Sequence, residues 1–318
     1  MQNLPDRILI TGAGGSIGGE IARQISGRRL TLVDNCEYNL YRIAREIPGA
    51  AYYADIRDAA RIEQIVAAER PELVIHAAAL KHVAVCENNP CEAVLTNVLG
   101  TRNALDAAAE CGARFLLIST DKAVRPTTVL GATKRAAEAV VGNRAPIVRF
   151  GNVVGSSGSV VPLFERQIAD GGPVTVTHPD VTRYMMPIAD SVRLVLAVAA
   201  TALAGVHVLD MGAPVRIDDL ARRMIGGRDI PIVYTGLGKG EKLHEELFDG
   251  VPVLGAIDGV FVESPPPAVD VHELVTAARL HDADAVRELI FGESGNGSVC
   301  DAFAYSRAGS ADGARTYS

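Results

Sequence analysis

The chain has 318 residues, with 48% hydrophobic and 22% charged residues and a net charge of −7. That is enough apolar material for one large core or two modest ones, and the lack of any basic block excludes nucleic acid as the main partner. Five cysteines (Cys36, Cys86, Cys91, Cys111 and Cys300) form no CxxC spacing, which fits free thiols in a reducing cytoplasm rather than disulfides or a metal site.

The opening, MQNLPDRILI, has no signal-peptide pattern and runs straight into a strand. Arg7 to Thr11 is a β-branched run that ends in TGAGGSIG, so Gly12, Gly15 and Gly18 stand at the spacing of a dinucleotide-binding turn. The helical pattern of Ile17, Ile21, Ala22 and Ile25 follows and would aim its amino-terminal N–H groups at phosphates. Leu30 to Asp34 is a second strand. Asp34 lies 16 residues after Gly18, where an acid grips ribose hydroxyls and repels a 2′-phosphate, which favours NAD over NADP. Asp34 also reads as a cap for a helix over Glu37 to Ile47.

A third strand is expected at Ala51 to Asp55, a helix at Arg57 to Glu69, and a fourth strand at Leu73 to His76. The small residues Ala77, Ala78 and Ala79 follow, which permits either a close cofactor or simple tight packing. His82, beside Lys81, reads as a base or as a surface group. The spacing from Asn88 to Cys111 predicts one long helix ended by Gly112, with Asn97 as a buried polar group in need of a partner.

Phe115 to Ile118 is the fifth strand and ends in Ser119 and Thr120, followed by Asp121 and Lys122. A strand end in an open α/β sheet delivers such groups to the rim where sites form. Lys134 comes 12 residues after Lys122, on the first turns of a helix. Pro146 to Phe150 is a sixth strand that leads into GNVVGSSGSVVPLF. Further on, the pattern gives a helix over Pro162 to Ala169, a strand over Val174 to Thr177 and a turn at Arg183 and Tyr184. A buried helix over Ala189 to Ala204 and a strand at Val206 to Leu209 follow, then an amphipathic helix over Ile217 to Ile225. The apolar run from Leu194 to Val206 is too short to span a bilayer, so no membrane contact is expected. Gly236 to Leu247 reads as a glycine-rich turn into a helix, and two terminal helices follow Pro265, Pro266 and Pro267. Alternating strands and helices predict an α/β fold with a doubly wound parallel sheet. A smaller carboxy-terminal α/β region would bind substrate. The expected division is 1–165 with 186–212 as the NAD-binding unit, 166–185 and 213–291 as the substrate region, and 292–318 as a disordered tail.

The motifs TGAGGSIG, HAAALKHV, ISTDKAV, GATKRAAE, RFGNVVGSSGSVVPLF, THPDVTRYMM and GEKLHEEL resemble those of extended short-chain dehydrogenase/reductases of the UDP-N-acetylglucosamine 4,6-dehydratase family, over about Arg7 to Leu247. Many larger relatives carry an amino-terminal membrane region. The resemblance implies NAD bound by Gly12, Gly15, Ser16, Ile17, Gly18, Asp34, Asp55, Ile56, Ala77, Ala78, Ala79, Asn97 and Lys134. It implies a UDP-sugar substrate held by Lys81, Asn152, Gln167, Thr175, Arg183, Lys239 and Glu241, and a homo-oligomer. It further implies oxidation at C4 of the sugar, loss of water across C5 and C6, and hydride return to C6. Thr120 would hold the 4-hydroxyl, Asp121 would protonate the departing C6 hydroxyl, and Lys122 would be the C5 base with a lowered pKa. Lys134 would hold the nicotinamide ribose and help Thr120 take the 4-hydroxyl proton.

Two positions depart from the pattern. Leu130 stands where the superfamily has a proton-transferring tyrosine, and one dehydratase branch has methionine there. Gly238 and Lys239 stand where relatives have Arg-Pro, so Lys239 would meet the diphosphate as a point charge. Leu130 and GSSGSV, with Ser157 where the C5-inverting branch has arginine, resemble the C5-retaining branch. The alternatives are the inverting enzyme, a 4-epimerase, and a silent protein that binds NAD and a UDP-sugar.

Overall fold

The computed structural model describes residues 3–156 and 158–292. The expected tail from 293 on, Cys300 and the comparison at Ser157 lie outside the described residues. From the amino terminus, β1 (Arg7–Thr11), α1 (Ser16–Gln24), β2 (Arg29–Asp34), α2 (Glu37–Glu46), β3 (Gly49–Tyr53), α3 (Ala59–Glu69) and β4 (Leu73–His76) alternate strand with helix. The third strand begins two residues earlier than its apolar pattern suggests. It lies at the sheet edge, alternately half-buried and exposed, so burial constrains its bounds weakly.

The long helix expected from Asn88 is broken. It is replaced by α4 (Val83–Asn88), α5 (Pro90–Val94), a π-helical turn over Leu95–Leu99 and α6 (Gly100–Glu110). Pro90 cannot donate into the preceding turn, so it starts a new helix instead of continuing one. β5 (Arg114–Ile118) leads through a 3-10 turn at Asp121–Ala123 to α7 (Val129–Val141), whose first turn is capped by the Thr128 hydroxyl accepting from Gly131 N–H. β6 (Pro146–Arg149), β7 (Asn152–Val154), α8 (Val160–Ala169), β8 (Val174–Val176), β9 (Thr182–Arg183), β10 (Met185–Pro187) and α9 (Ile188–Thr201) follow. The described residues end with β11 (Gly205–Leu209), β12 (Val215–Arg216), α10 (Ile217–Ile225), β13 (Ile232–Tyr234), β14 (Val253–Leu254), β15 (Val260–Glu263), α11 (His272–Arg279) and α12 (Ala283–Phe291).

Among the described residues the main sheet has nine strands in the order β14-β15-β11-β6-β5-β4-β1-β2-β3. β3 through β11 pair parallel, while β15 and β14 add an antiparallel edge. Strands buried on both faces explain the continuous apolar runs, as in Leu73 to Ile75 at about 1% exposure or less. The strand order reverses between β1 and β4, and that switch point opens a crevice at their carboxyl ends.

The division into two regions is drawn differently by the packing. Residues 253–263 belong to the main sheet, because β15 pairs with β11. α11 and α12 bury Leu274, Val275, Val286 and Ile290 against Val94, Val98 and Val129 on the sheet's own helices. A separate small core of Phe164, Ile168, Val174, Val176, Ile217 and Ile225 joins α8, β8 and α10. Among the described residues no helix is long and apolar enough to cross a membrane.

Candidate active site

A cleft of about 890 Å³ runs along the switch point. Gly12, Gly15, Ser16, Ile17 and Gly18 form its floor, with Ala77, Ala78 and Ala79 beside them. Gly12 has φ +65, and a Cβ there would lie 2.7 Å from Ala78 N; one on Gly18 would lie 2.2 Å from the Gly12 carbonyl. The turn can therefore close on β4 and α1 only with glycine. Gly15 also lines the cleft, and a Cβ there would meet the Gly12 carbonyl at 3.2 Å, a tight contact. This cradle and the amino terminus of α1 fit a pyrophosphate.

At the far end, Asp34 lines the cleft and spends both oxygens on backbone. Oδ2 accepts from Gly14 N–H at 2.9 Å and Oδ1 from Cys36 N–H at 2.8 Å. Each carboxylate oxygen keeps a second lone pair for a ribose hydroxyl. Ile56 also lines this end, but Asp55 does not. Asp55 pairs with Arg57 at 2.6 Å, and although burial opposes its charge, the Arg57 hydrogen bonds hold its carboxyl below the usual range.

Asn97 is a second correction to the cofactor set. It is fully buried outside the cleft. Its Oδ1 accepts from Leu80 N–H at 2.9 Å, and its amide donates to the Leu80 carbonyl and to Thr133 Oγ1. The amide is spent fixing the loop after β4 to α7, so its expected need for a partner is met by structure rather than by a ligand.

Thr120, Lys122, Leu130 and Lys134 line the other end of the same cleft, with Phe150 and Asn152. The 3-10 turn folds the strand end back on itself. The Thr120 hydroxyl donates to Asp121 Oδ1 at 2.8 Å, and Lys122 Nζ donates to the same oxygen at 3.0 Å and to Asn152 Oδ1 at 3.2 Å. Asp121 is completely buried and lines neither this cleft nor the second one described below, which corrects the expectation that its carboxyl meets the sugar directly. Its Oδ2 is buried without a hydrogen-bond partner among the described residues. Its contact with the cleft passes through Thr120 and Lys122.

The expected lowering of the Lys122 pKa is not what the packing gives. Burial does work against the ammonium, but the Asp121 and Glu245 carboxylates outweigh it and push Lys122 above the ordinary lysine value. Lys134 behaves oppositely. Burial, only partly offset by Glu138, lowers it to about 8, and its Nζ donates to the Ile118 carbonyl at 2.7 Å. Leu130, one helical turn before Lys134, is 4% exposed and presents only a hydrocarbon to the cleft. Lys81 and His82 line the rim. Burial lowers both, and Lys81 lowers His82 further, so His82 is neutral at pH 7.

A second cleft of about 550 Å³ opens on the other side of Lys122, which among the described residues is the one to line both. Its wall carries Arg183, Lys239, Lys242 and Arg287 along with Glu87, Glu241 and Glu245. Arg183 donates to Glu241 at 2.6 Å, and Glu245 lies 3.7 Å from Lys122 Nζ. The helix expected before Leu247 does not form. Leu243 instead accepts from Thr182 N–H through its carbonyl, and Lys242 Nζ reaches the Val124 carbonyl. Those contacts fix an extended segment and bring Glu245 to Lys122. Gln167 and Thr175 reach neither cleft; the Gln167 amide donates to Thr175 Oγ1 at 2.7 Å and accepts from Thr175 N–H at 3.0 Å. They lock α8 to β8.

Glu245 and Arg287 were not singled out by sequence reasoning. Glu245 lies in a motif read as helical, and Arg287 in a terminal helix with no motif. The only signal for either is charge.

The sequence profile of the family described as polysaccharide biosynthesis protein matches residues 8–253. The chain is 47% identical over 268 residues to the capsular polysaccharide biosynthesis protein CapD of Staphylococcus aureus, covering 76% of this chain and 45% of that protein. The chain thus spans about half the length of that relative. It is 34% identical to the inverting UDP-N-acetylglucosamine 4,6-dehydratase of Campylobacter jejuni, covering 75% of this chain and 76% of that one. The same identity, 34%, links it to the UDP-glucose 4-epimerase of Rickettsia canadensis over 79% and 80% of the two chains.

Proposed function

The chain belongs to the polysaccharide biosynthesis protein family of extended short-chain dehydrogenase/reductases, and from that premise we propose that it is an NAD-dependent UDP-N-acetylglucosamine 4,6-dehydratase that retains configuration at C5. The observation that carries this reading is the Thr120–Asp121–Lys122 cluster at the cleft, with hydrocarbon at Leu130 in place of a phenol. NAD, when bound along the glycine floor, would accept hydride from C4 of the sugar and return it to C6.

The chain's own residues then have to move protons. Thr120 takes the proton of the 4-hydroxyl as its own hydroxyl proton passes on to the Lys134 amine, which burial lowers to about 8 and so makes available as the acceptor. A 4-ketone acidifies the C5 proton. Lys122 and Asp121 hold one proton between them; the resting pair is charged, and passing the proton from the ammonium to the carboxylate gives the neutral amine that can act as a base. The Lys122 amine removes the C5 proton. The Asp121 proton passes through Thr120 to the C6 hydroxyl, which departs as water. Lys122 then returns its proton to C5. The 4-hydroxyl proton held at Lys134 then returns through Thr120 to the Lys122–Asp121 pair and replaces the one that left in water, so the wall ends as it began. One base on one face returns the proton to that face, which gives retention.

A 4-epimerase is supported by the Rickettsia relative, but it gives Asp121 and Lys122 no proton to move. The test is the full chain with NAD and UDP-N-acetylglucosamine, followed by mass spectrometry and by NMR of the product made in deuterated water. A sugar nucleotide lighter by one water, with deuterium at C5 in the original configuration, is expected. Unchanged mass with a new C4 epimer supports the epimerase. Unchanged substrate with bound NAD supports a silent binding protein, and inverted C5 supports the inverting enzyme.

A further inference from the structure

We propose that Glu245 is a positioning residue that grips the Lys122 side chain from the second cleft and governs when that lysine can act as a base. The inference rests on Lys122 being the proton-exchanging group of the proposed reaction.

The geometry carries it. Lys122 is shared by both clefts, and its Nζ is held on one side by Asp121 Oδ1 and Asn152 Oδ1. From the second cleft comes Glu245, whose side chain is 5% exposed and whose Oε1 stands 3.7 Å from the ammonium. A buried carboxylate at that distance from a lysine has a charge to balance, and the lysine is what lies there. Glu245 reaches this place because residues 242–244 are tied down. Thr182 N–H and the Arg183 guanidinium both bond the Leu243 carbonyl, His244 Nδ1 pairs with Thr182 Oγ1, and Lys242 bonds the Val124 carbonyl. Arg183 is in turn fastened to Glu241 at 2.6 Å.

The groups that face Lys122 are the Asp121 and Glu245 carboxylates, the Arg183 guanidinium, the Asn152 amide and the Thr120 hydroxyl that shares Asp121 Oδ1. When Asp121 takes the shared proton, its attraction for the lysine vanishes and Glu245 is the carboxylate that remains. It then sets how readily the amine picks up the C5 proton and keeps the newly formed ammonium in place for its return. Arg183 works in the opposite sense, and its bond to Glu241 holds it in the second cleft.

Two readouts test this on the full chain with NAD. The first is the NMR titration of 13C-labelled lysine, with the Lys122 signal assigned by its loss in Lys122→Arg; it needs no turnover. In Glu245→Gln the Lys122 midpoint is expected to fall by about one pH unit or more, as for loss of an opposite charge at contact range. In Glu245→Asp, whose shorter arm keeps the charge, it should return part of the way. The second is the pH profile of kcat. Its rising limb should move to lower pH in Glu245→Gln by the same interval, with KM little changed. An unmoved Lys122 midpoint in folded Glu245→Gln and Glu245→Asp overturns the proposal, as does a kcat loss equal at every pH. If the wild-type chain dehydrates no UDP-sugar at any pH, the dehydratase reading fails while the lysine titration still decides what Glu245 does.

Discussion

The two clefts meet at Lys122 but are built in opposite ways. The larger is made of backbone and small side chains. Its floor is Gly12 to Gly18, its wall is Ala77 to Ala79, and its acid, Asp34, is bonded to main-chain N–H groups. The smaller is made of long charged side chains, most of them checked by another: Arg183 by Glu241, Lys122 by Glu245, Arg287 by Glu87. The first gains selectivity from close approach, which only a few residue types permit. The second gains it from charge that can be re-paired when an anionic ligand arrives. A site that holds a cofactor through many turnovers suits the first design, and one that exchanges substrate suits the second.

Removing the joint between them should have the largest effect. Lys122→Ala is expected to lower kcat by about 10³-fold or more, the upper range for a group that both takes and gives a proton. NAD binding, measured by fluorescence titration, should stay within a factor of two or so of wild type, because the glycine floor is untouched. A variant that keeps normal turnover would separate Lys122 from the chemistry altogether. Gly18→Ala attacks the larger cleft on its own terms. The added Cβ would sit 2.2 Å from the Gly12 carbonyl, so α1 must shift off β1. Overpacking of this kind costs about 1–3 kcal/mol. Thermal melting should show that loss in the protein without NAD, and NAD affinity should fall with it. Unchanged affinity would mean that the turn does not define the cofactor site.

The same contrast explains what could be read in advance. The larger cleft comes from short runs at the ends of β1, β2 and β4, so its glycines and Asp34 declare themselves by local spacing. Leu130 was legible only through the resemblance, which expects a tyrosine one helical turn before Lys134. Glu245 was not legible. Lys242 to Leu247 has the composition of a helix, and only tertiary bonds to Thr182, Arg183 and Val124 hold it extended. Asn97 misled for the same reason. An inward-facing amide looks like a ligand group until the loop at Leu80 is seen to use it on both sides. Gln167 and Thr175 were implied by resemblance, yet they bond each other and stand away from both clefts. Asp121 was placed at the sugar by the resemblance alone. The 3-10 turn puts Thr120 and Lys122 on the cleft and turns the acid between them inward, a choice that two residues of sequence cannot reveal.

Lys239 gives the smallest and most discriminating effect. It lines the smaller cleft where relatives are expected to place an arginine, and among the described residues no carboxylate lies within ion-pair distance of it. A lysine meets a diphosphate as a point charge and forgoes the paired bonds of a guanidinium. Lys239→Ala should therefore raise KM by about three- to tenfold, as for loss of one exposed charge contact, with kcat unchanged. The effect should shrink as salt rises towards 0.5 M, because an exposed contact is screened while the larger cleft, held by backbone, is not. Lys239→Arg should lower KM below wild type if the cleft receives a phosphate at that point. A fall in kcat with KM constant would instead put Lys239 in the chemistry and erase the distinction between a cleft that grips and a cleft that reacts.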